Sequence, residues 1–160
     1  MVRLRQSLSE RGLNHVRTYI QSGNVLCDAG DRSEAHVAGL VEASLLEDFD
    51  VETVVVVVAA QTLARAVTDA PTGFGSQPDT FHSDVAFVRP GLNTADALAA
   101  FGMREGVDTV WAGEHVVYFQ RLSAERTRSR MSTVASHPLY ADMTIRNWRT
   151  VTALHAMLVD

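Results

Sequence analysis

The chain has no lysine, a single cysteine (Cys27) and no long apolar run. A lone cysteine excludes a disulfide within the chain and fits a reducing compartment. The longest apolar run, at residues 54–60, is far shorter than the roughly 20 residues that span a bilayer. No basic-then-apolar leader precedes the first predicted helix. We therefore expect a cytoplasmic protein that does not enter a membrane.

Metal-binding and catalytic motifs are also missing. The six histidines are scattered without metal-ligand spacing, so we predict no metal and no cofactor. His82 and Asp84 can face the same way on a strand, but two residues do not make a metal site. There is no G-x-S-x-G pattern, and Gly73-Phe74-Gly75 is too short for a dinucleotide fingerprint. Whether the protein is an enzyme is left open.

The composition is that of a folded protein, with 46% hydrophobic and 21% charged residues over a length of 160. That length suits one compact domain or two packed subdomains. The net charge of −5 argues against non-specific nucleic-acid binding. The charge is uneven, since residues 115–160 contain six arginines against three acidic residues. The only basic cluster consists of Arg121, Arg126, Arg128 and Arg130. No aromatic residue is interleaved with these arginines, so a solvated loop is the favoured interpretation.

Three helices are predicted in the first seventy residues. Leu4 and Leu8 share one face of the first helix, which a following glycine ends. Asp31 with Glu34 three residues later predicts a capping box at the start of the second. A short third helix is predicted over residues 62–68.

Strands are predicted around these helices. Residues 16–20 and 24–27 read as two strands joined through a glycine-containing turn. Residues 51–58 are almost entirely valine. Because they do not alternate with polar residues, they predict a strand buried on both faces or at the centre of a sheet.

The second half repeats this succession. Residues 70–83 contain two prolines and two glycines, which indicates a boundary or a loop. A strand at 84–88, a helix at 94–101 and a hairpin at 109–119 follow, and Asn147 is predicted to cap a final helix. Helices mixed with hairpins favour an α+β fold over a doubly wound parallel sheet.

Two strings near the ends carry a family resemblance. VRTYIQSGNVL at residues 16–26 and TIRNWRTVTAL at residues 144–154 closely resemble signatures of the bacterial domain-of-unknown-function family 1697. DVAFV at residues 84–88 resembles the family's H-V-A-F-L strand, and Ser129-Arg130-Met131 resembles a weaker version of its S-K-L step. The resemblance implies two small α+β subdomains, the first ferredoxin-like, and it implies no established activity.

One departure from the family pattern concerns the N-terminus. Residues 1–5 resemble the family's M-x-x-L-R stretch, before which the family has a strand and a Gly-rich turn. The resemblance therefore implies a first subdomain, residues 1–70, that lacks its opening, central strand. We expect residues 71–83 to connect it to a related strand–helix–hairpin–helix subdomain over residues 84–160, which ends in the C-terminal helix.

The first candidate ligand site lies on the predicted hairpin. Its polar residues are Arg17, Tyr19, Gln21, Ser22 and Asn24. A strand period of two places the first three on one face, where they can hold a ligand through directed hydrogen bonds. The alternative is a half-solvated sheet face in which the serine and asparagine serve the turn.

The second candidate site lies at the start of the last helix. It consists of Arg146, Asn147, Trp148 and Arg149. Free N–H groups and the helix dipole favour an anion there, and arginine can grip phosphate or carboxylate through two hydrogen bonds. The alternative is structural: the asparagine caps the helix and the tryptophan anchors it in the core.

Three functions are compatible with these patterns. The leading hypothesis is a module that binds a small anionic or phosphate-bearing ligand in one pocket formed by both arginine-bearing motifs. The second is an enzyme whose site is completed by the absent N-terminal segment. The third is a structural or partner-binding protein that accepts a strand at an open sheet edge. The sequence determines neither the ligand nor the oligomeric state.

Overall fold

The computed structural model describes residues 1–19 and 23–159 of the chain. The chain divides into two compact units, Met1–Val57 and Val58–Asp160. Helices and two antiparallel sheets make up these units, which confirms the α+β prediction. The first unit was predicted to end at residue 70, after the third helix, whereas the observed division lies before that helix. The reason is that Leu63 and Ala66 of that helix pack in a core of the second unit.

The first unit contains two helices and a two-stranded sheet, in the predicted order. Its elements are α1 (Val2–Glu10), β1 (Asn14–Tyr19), β2 (Asn24–Asp28) and α2 (Glu34–Phe49). β1 and β2 pair antiparallel, and their register shifts between Asn14 and Arg17. His15, which has a φ of 50°, lies at this irregularity.

The end of α1 follows the predicted stop signal. Gly12 has a φ of 87° and donates its N–H to the Ser9 carbonyl at 3.0 Å. Leu13 donates its N–H to the Leu8 carbonyl at 3.2 Å, which completes a Schellman motif. Leu8 and Leu13 then join Val37 of α2 as the buried core of the first unit.

The cap of α2 differs from the prediction. Ser33, not Asp31, is the N-cap, and its hydroxyl accepts a hydrogen bond from the His36 N–H at 3.2 Å. Serine is as good a cap as aspartate, and Ser33 directly precedes the first helical residue. Asp31 falls in the turn before it.

The predicted valine strand is not a strand of a sheet. Residues 51–58 have no turn or bend, yet they form no ladder with any described strand. Residues 51–54 are exposed and residues 55–58 are half-buried, so the predicted burial on both faces is also wrong. A strand assignment requires a hydrogen-bonded neighbour, and valine content alone does not supply one.

The second unit is built on a four-stranded antiparallel sheet. Its elements are α3 (Ala60–Thr68), β3 (Phe81–Val88), α4 (Thr94–Ala99), β4 (Asp108–Ala112), β5 (Val116–Leu122), β6 (Met143–Asn147) and α5 (Trp148–Val159). The strand order is β4-β5-β3-β6, and three short 3₁₀ turns lie between β5 and β6. β6 was not predicted. Its five residues directly precede α5, and the sequence motif that contains them was interpreted as the start of that helix.

Each face of this sheet packs on its own core. Ala86 and Val88 of β3 point to one core, together with Phe101 after α4. Val85 and Phe87 point to the opposite core, which α3, Phe74 and α5 cover. This alternation along β3 fixes which polar residues of the strand share a face.

Candidate functional site

The structure places three of the predicted hairpin residues on one face of the two-stranded sheet. Tyr19 is the cross-strand partner of Asn24, and Arg17 is the partner of Leu26, so their side chains project to the same side. Arg17 is exposed, whereas Asn24 is buried and its amide donates to the Tyr19 carbonyl at 3.4 Å. The asparagine therefore supports the hairpin. The predicted ligand residues Gln21 and Ser22 lie outside the described residues.

The residues at the start of α5 divide between the two faces of the larger sheet. Asn147 accepts a hydrogen bond from the Thr150 N–H at 2.8 Å and so acts as the helix cap. Trp148 packs edge-on against Phe74, with ring centroids 5.1 Å apart. The structural alternative thus accounts for these two side chains, as capping and packing predict.

The two arginines of this motif are in different environments. Arg146 is half-buried, burial lowers the pKa of its guanidinium, and the group donates to the Ile145 carbonyl at 2.9 Å. Arg149, in the first turn of α5, is exposed. Of the two, Arg149 is the one placed to meet a ligand from solvent.

The predicted single pocket remains a prediction. Arg17 belongs to the first unit and Arg146 to the second. Each motif is therefore described within its own unit. The second unit also contains a polar cluster that the sequence predicted only in part.

This cluster lies at one end of the four-stranded sheet, where β3 and β4 begin and β5 and β6 end. We call it the polar sheet end, and it consists of His82, Asp84, Asp108, Arg121 and Asn147. Register pairs His82 with Arg121, Arg121 with Asp108, and Asp84 with Asn147, so all five side chains leave the same face.

A histidine–aspartate hydrogen bond is the central contact of the polar sheet end. His82 Nε2 lies 3.1 Å from Asp84 Oδ1. The Asp84 side chain is buried, whereas the His82 side chain is 46% exposed. Desolvation raises the pKa of Asp84, and the neighbouring His82 and Arg121 oppose that rise. A buried carboxyl thus fixes an imidazole that reaches solvent.

Arg121 and Asp108 carry the two unsatisfied buried side-chain atoms of the described residues. These atoms are Arg121 Nε and Asp108 Oδ1, a donor and an acceptor on neighbouring strands. The other oxygen of Asp108 accepts the N–H groups of Arg104 and Arg130 at 3.0 and 2.9 Å. Buried polar atoms normally find a partner, so this pair marks a place suited to a water molecule or a polar ligand group.

The sequence contained part of this signal. Two residues apart on a strand, His82 and Asp84 share a face by period alone. The roles of Asp108 and Arg121 were hidden, because they depend on which strands are neighbours. In the described part of the chain, no group of three or more His, Cys, Asp or Glu residues is arranged to hold a metal ion. Nor does any described helix combine the length and apolar character needed to cross a membrane.

Comparisons with known proteins give a family and a fold. The model of the family described as protein of unknown function (DUF1697) matches residues 1–118. The solved structure of the conserved bacterial protein SP0830 from Streptococcus pneumoniae is similar, with a TM-score of 0.82 and 19% sequence identity. The match covers 100% of this chain and 89% of that chain. At this identity the likeness shows the fold alone. No curated protein matches the chain.

Proposed function

The chain belongs to the DUF1697 family of proteins of unknown function, and we propose that its second unit binds a small anionic ligand at the polar sheet end. The observation that carries this proposal is the hydrogen bond between His82 and buried Asp84 beside the start of α5. The ligand class is a small molecule with a phosphate or carboxylate group.

The imidazole is the first proposed contact of the ligand. Because Nε2 of His82 is engaged by Asp84, its Nδ1 is the nitrogen that can face a ligand. A protonated imidazole paired with a carboxylate donates a charge-assisted hydrogen bond through its second nitrogen. The half-exposed position of His82 lets a ligand approach without displacing the core.

The start of α5 supplies the second group of donors. Asp84 is the cross-strand neighbour of Asn147, the residue that caps this helix. The helix is 12 residues long, and its dipole favours negative charge at its first turn. Arg149 in that turn adds a forked donor suited to an oxyanion.

The local charge balance is compatible with an anion. Although Asp84 and Asp108 are acidic, Asp108 is engaged by two backbone N–H groups, and Asp84 is paired with His82. Arg121, the cross-strand partner of His82, contributes positive charge at the polar sheet end, and Arg149 follows Asn147 by two residues in the chain. Residues 115–160, which supply both, contain an excess of arginine over acidic residues.

Isothermal titration calorimetry tests the proposal. Inorganic phosphate is titrated first, followed by a panel of nucleotides, sugar phosphates and small dicarboxylates. For a ligand that binds the wild type, His82→Gln and Arg149→Ala should each weaken affinity roughly tenfold, because a hydrogen bond to a charged group contributes about 1.5 kcal/mol.

Arg89→Ala is the matched control, since Arg89 is a partly exposed arginine that follows the opposite end of β3 and pairs with Asp142. It should bind as the wild type does. Equal affinity in the His82→Gln and wild-type proteins, or no binding across the panel, would contradict the proposal.

A second candidate function is acid–base catalysis by the same histidine. A buried carboxylate that orients a half-exposed imidazole is the arrangement of a general base and its positioning partner. Among the described hydrogen bonds, no serine, threonine or cysteine contacts His82, which points to activation of water rather than of a side-chain nucleophile.

This alternative is tested with chromogenic phosphate and carboxylate esters. Wild-type turnover that falls about 100-fold or more in Asp84→Asn would support it, since general-base assistance contributes on that order. Turnover that is unchanged in Asp84→Asn, or absent with every ester, would exclude this role for the pair.

A further inference from the structure

We propose that Asp108 and Arg121 select the ligand of the polar sheet end, and that this ligand carries a hydroxyl group one or two carbons from its acidic group. The proposal rests on the ligand site proposed above and specifies the chemical class of its ligand. The observation behind it is the pair of buried side-chain atoms without a partner, Arg121 Nε and Asp108 Oδ1. One is a donor and the other an acceptor, so a single bound group can satisfy both.

The carboxylate of Asp108 is held through one oxygen only. Asp108 is 8% exposed, and its Oδ2 accepts the N–H groups of Arg104 and Arg130 at 3.0 and 2.9 Å. These N–H groups belong to the segments before β4 and after β5, so the position of the carboxylate is set without Oδ1. A buried carboxylate oxygen without a donor is unfavourable, and a ligand that supplies a donor removes that cost.

The guanidinium of Arg121 lacks a strong acceptor. Its half-buried side chain makes one described hydrogen bond, from NH1 to Met131 Sδ at 3.3 Å. Among the ion pairs that the described residues form, none joins Arg121 to Asp84 or Asp108. A thioether is a weak acceptor on a flexible side chain. Exchange of this contact for an oxyanion is therefore favourable, and it moves Met131 aside so that the ligand reaches the guanidinium.

The register of the sheet sets the distance between the acidic group and the hydroxyl. His82, Arg121 and Asp108 lie in one row across β3, β5 and β4, because Arg121 is the cross-strand partner of both other residues. Neighbouring strands are about 4.8 Å apart. A ligand whose acidic group lies between His82 and Arg121 therefore reaches Asp108 with a hydroxyl about 5 Å away. That distance corresponds to a hydroxyl on the first or second carbon from the acidic group.

A hydroxyl is the ligand group that matches both atoms. It accepts a hydrogen bond from Arg121 Nε and donates one to Asp108 Oδ1. An ammonium group donates but cannot accept, and a methylene group leaves both atoms without a partner. We therefore expect hydroxy acids and glycerol phosphates to bind more tightly than their amino and unsubstituted analogues. A water molecule has the same hydrogen-bonding capacity and is the competing occupant that the experiment must distinguish.

Isothermal titration calorimetry with two matched series of ligands tests the inference. The carboxylate series is malate, aspartate and succinate, and the phosphate series is glycerol 3-phosphate and propyl phosphate. The series that binds more tightly identifies the acidic group. Within it, the hydroxylated ligand should bind at least about tenfold more tightly than its unsubstituted analogue, which leaves Asp108 Oδ1 without a donor.

Asp108→Asn reverses the polarity of the unpartnered atom. The asparagine keeps an oxygen for the N–H groups of Arg104 and Arg130, but its amide nitrogen replaces the acceptor with a donor. This variant should reduce the preference for the hydroxylated ligand to about twofold or less, because the hydroxyl no longer finds an acceptor. A preference that persists unchanged in Asp108→Asn would contradict the role of this residue.

Asp142→Asn is the matched control, since Asp142 pairs with Arg89 and precedes β6 at the opposite end of the sheet. It should keep the wild-type preference. The comparison of ligands in the wild type needs no variant, so it decides the question even if Asp108→Asn does not fold.

The possible failures of the inference and of the ligand site are distinguishable. Equal binding of a hydroxylated ligand and its unsubstituted analogue, with both weakened in His82→Gln, would overturn the inference and leave the ligand site in place, with water between Arg121 and Asp108. Binding of aspartate as tight as that of malate would also overturn it. If neither series binds, the ligand site itself is contradicted, and the inference fails with it.

Discussion

Phe74 links three other aromatic rings in the second unit. Its ring centroid lies 5.9 Å from Trp111, 5.3 Å from Tyr118 and 5.1 Å from Trp148, each in an edge-on orientation. Such contacts add stability beyond the burial of the rings. Phe74 lies in the segment predicted as a connecting loop, where no periodicity marks a core residue. Its burial depends on the partners that the fold brings to it.

Gly75 lets one of these rings lie against the backbone. A Cβ at this position would collide with the Trp148 ring, and Gly75 has a φ of 70°. Gly75→Ala should therefore lower the free energy of unfolding by about 2 kcal/mol or more, from overpacking and backbone strain together. Urea denaturation followed by tryptophan fluorescence measures the loss.

Gly106→Ala is the control for strain alone. Gly106 has a φ of 75°, and a Cβ there would meet nothing within 4 Å. Its cost should be smaller than that of Gly75→Ala. If the two variants are equally stable, the Trp148 ring does not lie on Gly75 as described.

The buried phenol of Tyr118 should make the protein less stable at alkaline pH. Its buried hydroxyl donates to the Ala66 carbonyl at 3.0 Å, and burial, aided by Asp69, raises its pKa to about 12. In the unfolded chain the phenol ionises near pH 10. Between these values the folded protein binds more protons than the unfolded one, so stability falls as pH rises through this range.

Tyr118→Phe lacks this titration. Near neutral pH it should be less stable by about 1 kcal/mol, because the Ala66 carbonyl loses its donor. Its deficit relative to the wild type should shrink between pH 10 and 11.5. Urea denaturation across this pH range measures both quantities, and a constant deficit would show that the hydroxyl is not protected in the folded state.

At the scale of elements, substitutions of Asn147 test whether its side chain caps α5 where that helix follows β6. Asn147→Ala removes the acceptor of the Thr150 N–H and should cost about 1 kcal/mol of unfolding free energy. Asn147→Ser keeps a capping oxygen and should recover most of that loss. If alanine and serine variants are equally stable, the side chain does not act as the cap, and its cross-strand position beside Asp84 must explain its presence.

Local signals predicted most of the elements, and non-local pairing decided the rest. α1 with its terminal glycine and α5 with its asparagine cap follow from residues close together in sequence. β6 escaped prediction, since its only evidence is pairing with β3, more than fifty residues away. The strand prediction for residues 51–58 was wrong for the converse reason, because strong β propensity does not supply a hydrogen-bonded neighbour.

The same distinction applies to the candidate sites. The side chains of His82 and Asp84 share a face through strand period, which sequence reveals. Arg121 and Asp108 lie beside them only because β5 pairs with both β3 and β4. Short sequence motifs do not reveal strand order, so these two residues could not be predicted. Asn147 was predicted both as a ligand residue and as a cap, and its contact with Thr150 accounts for the cap.

At the scale of the whole molecule, the two units differ in the size of their cores. The described core of the first unit is a cluster of three buried residues. The second unit has clusters of nine and eight on opposite faces of one sheet. Since buried apolar surface supplies most of folding stability, we expect the first unit to open at lower denaturant concentration.

Native-state hydrogen exchange at increasing urea concentration measures this difference. Amides of β1 and β2 should lose protection before those of β3 and β5. Simultaneous loss of protection in both sheets would show that the two units unfold as one.

Ligand binding at the polar sheet end is tested most directly by recording ¹⁵N NMR spectra of the histidine side chains during a titration. The titrant is inorganic phosphate or the ligand that binds most tightly in the calorimetric panel. The account predicts that the Nδ1 resonance of His82 shifts and saturates while those of His115 and His137 stay in place. It also predicts that the shift is lost in Asp84→Asn, where the imidazole is no longer fixed by a carboxylate. An unmoved His82 resonance at a ligand concentration that saturates the protein by calorimetry would contradict the assignment of this site.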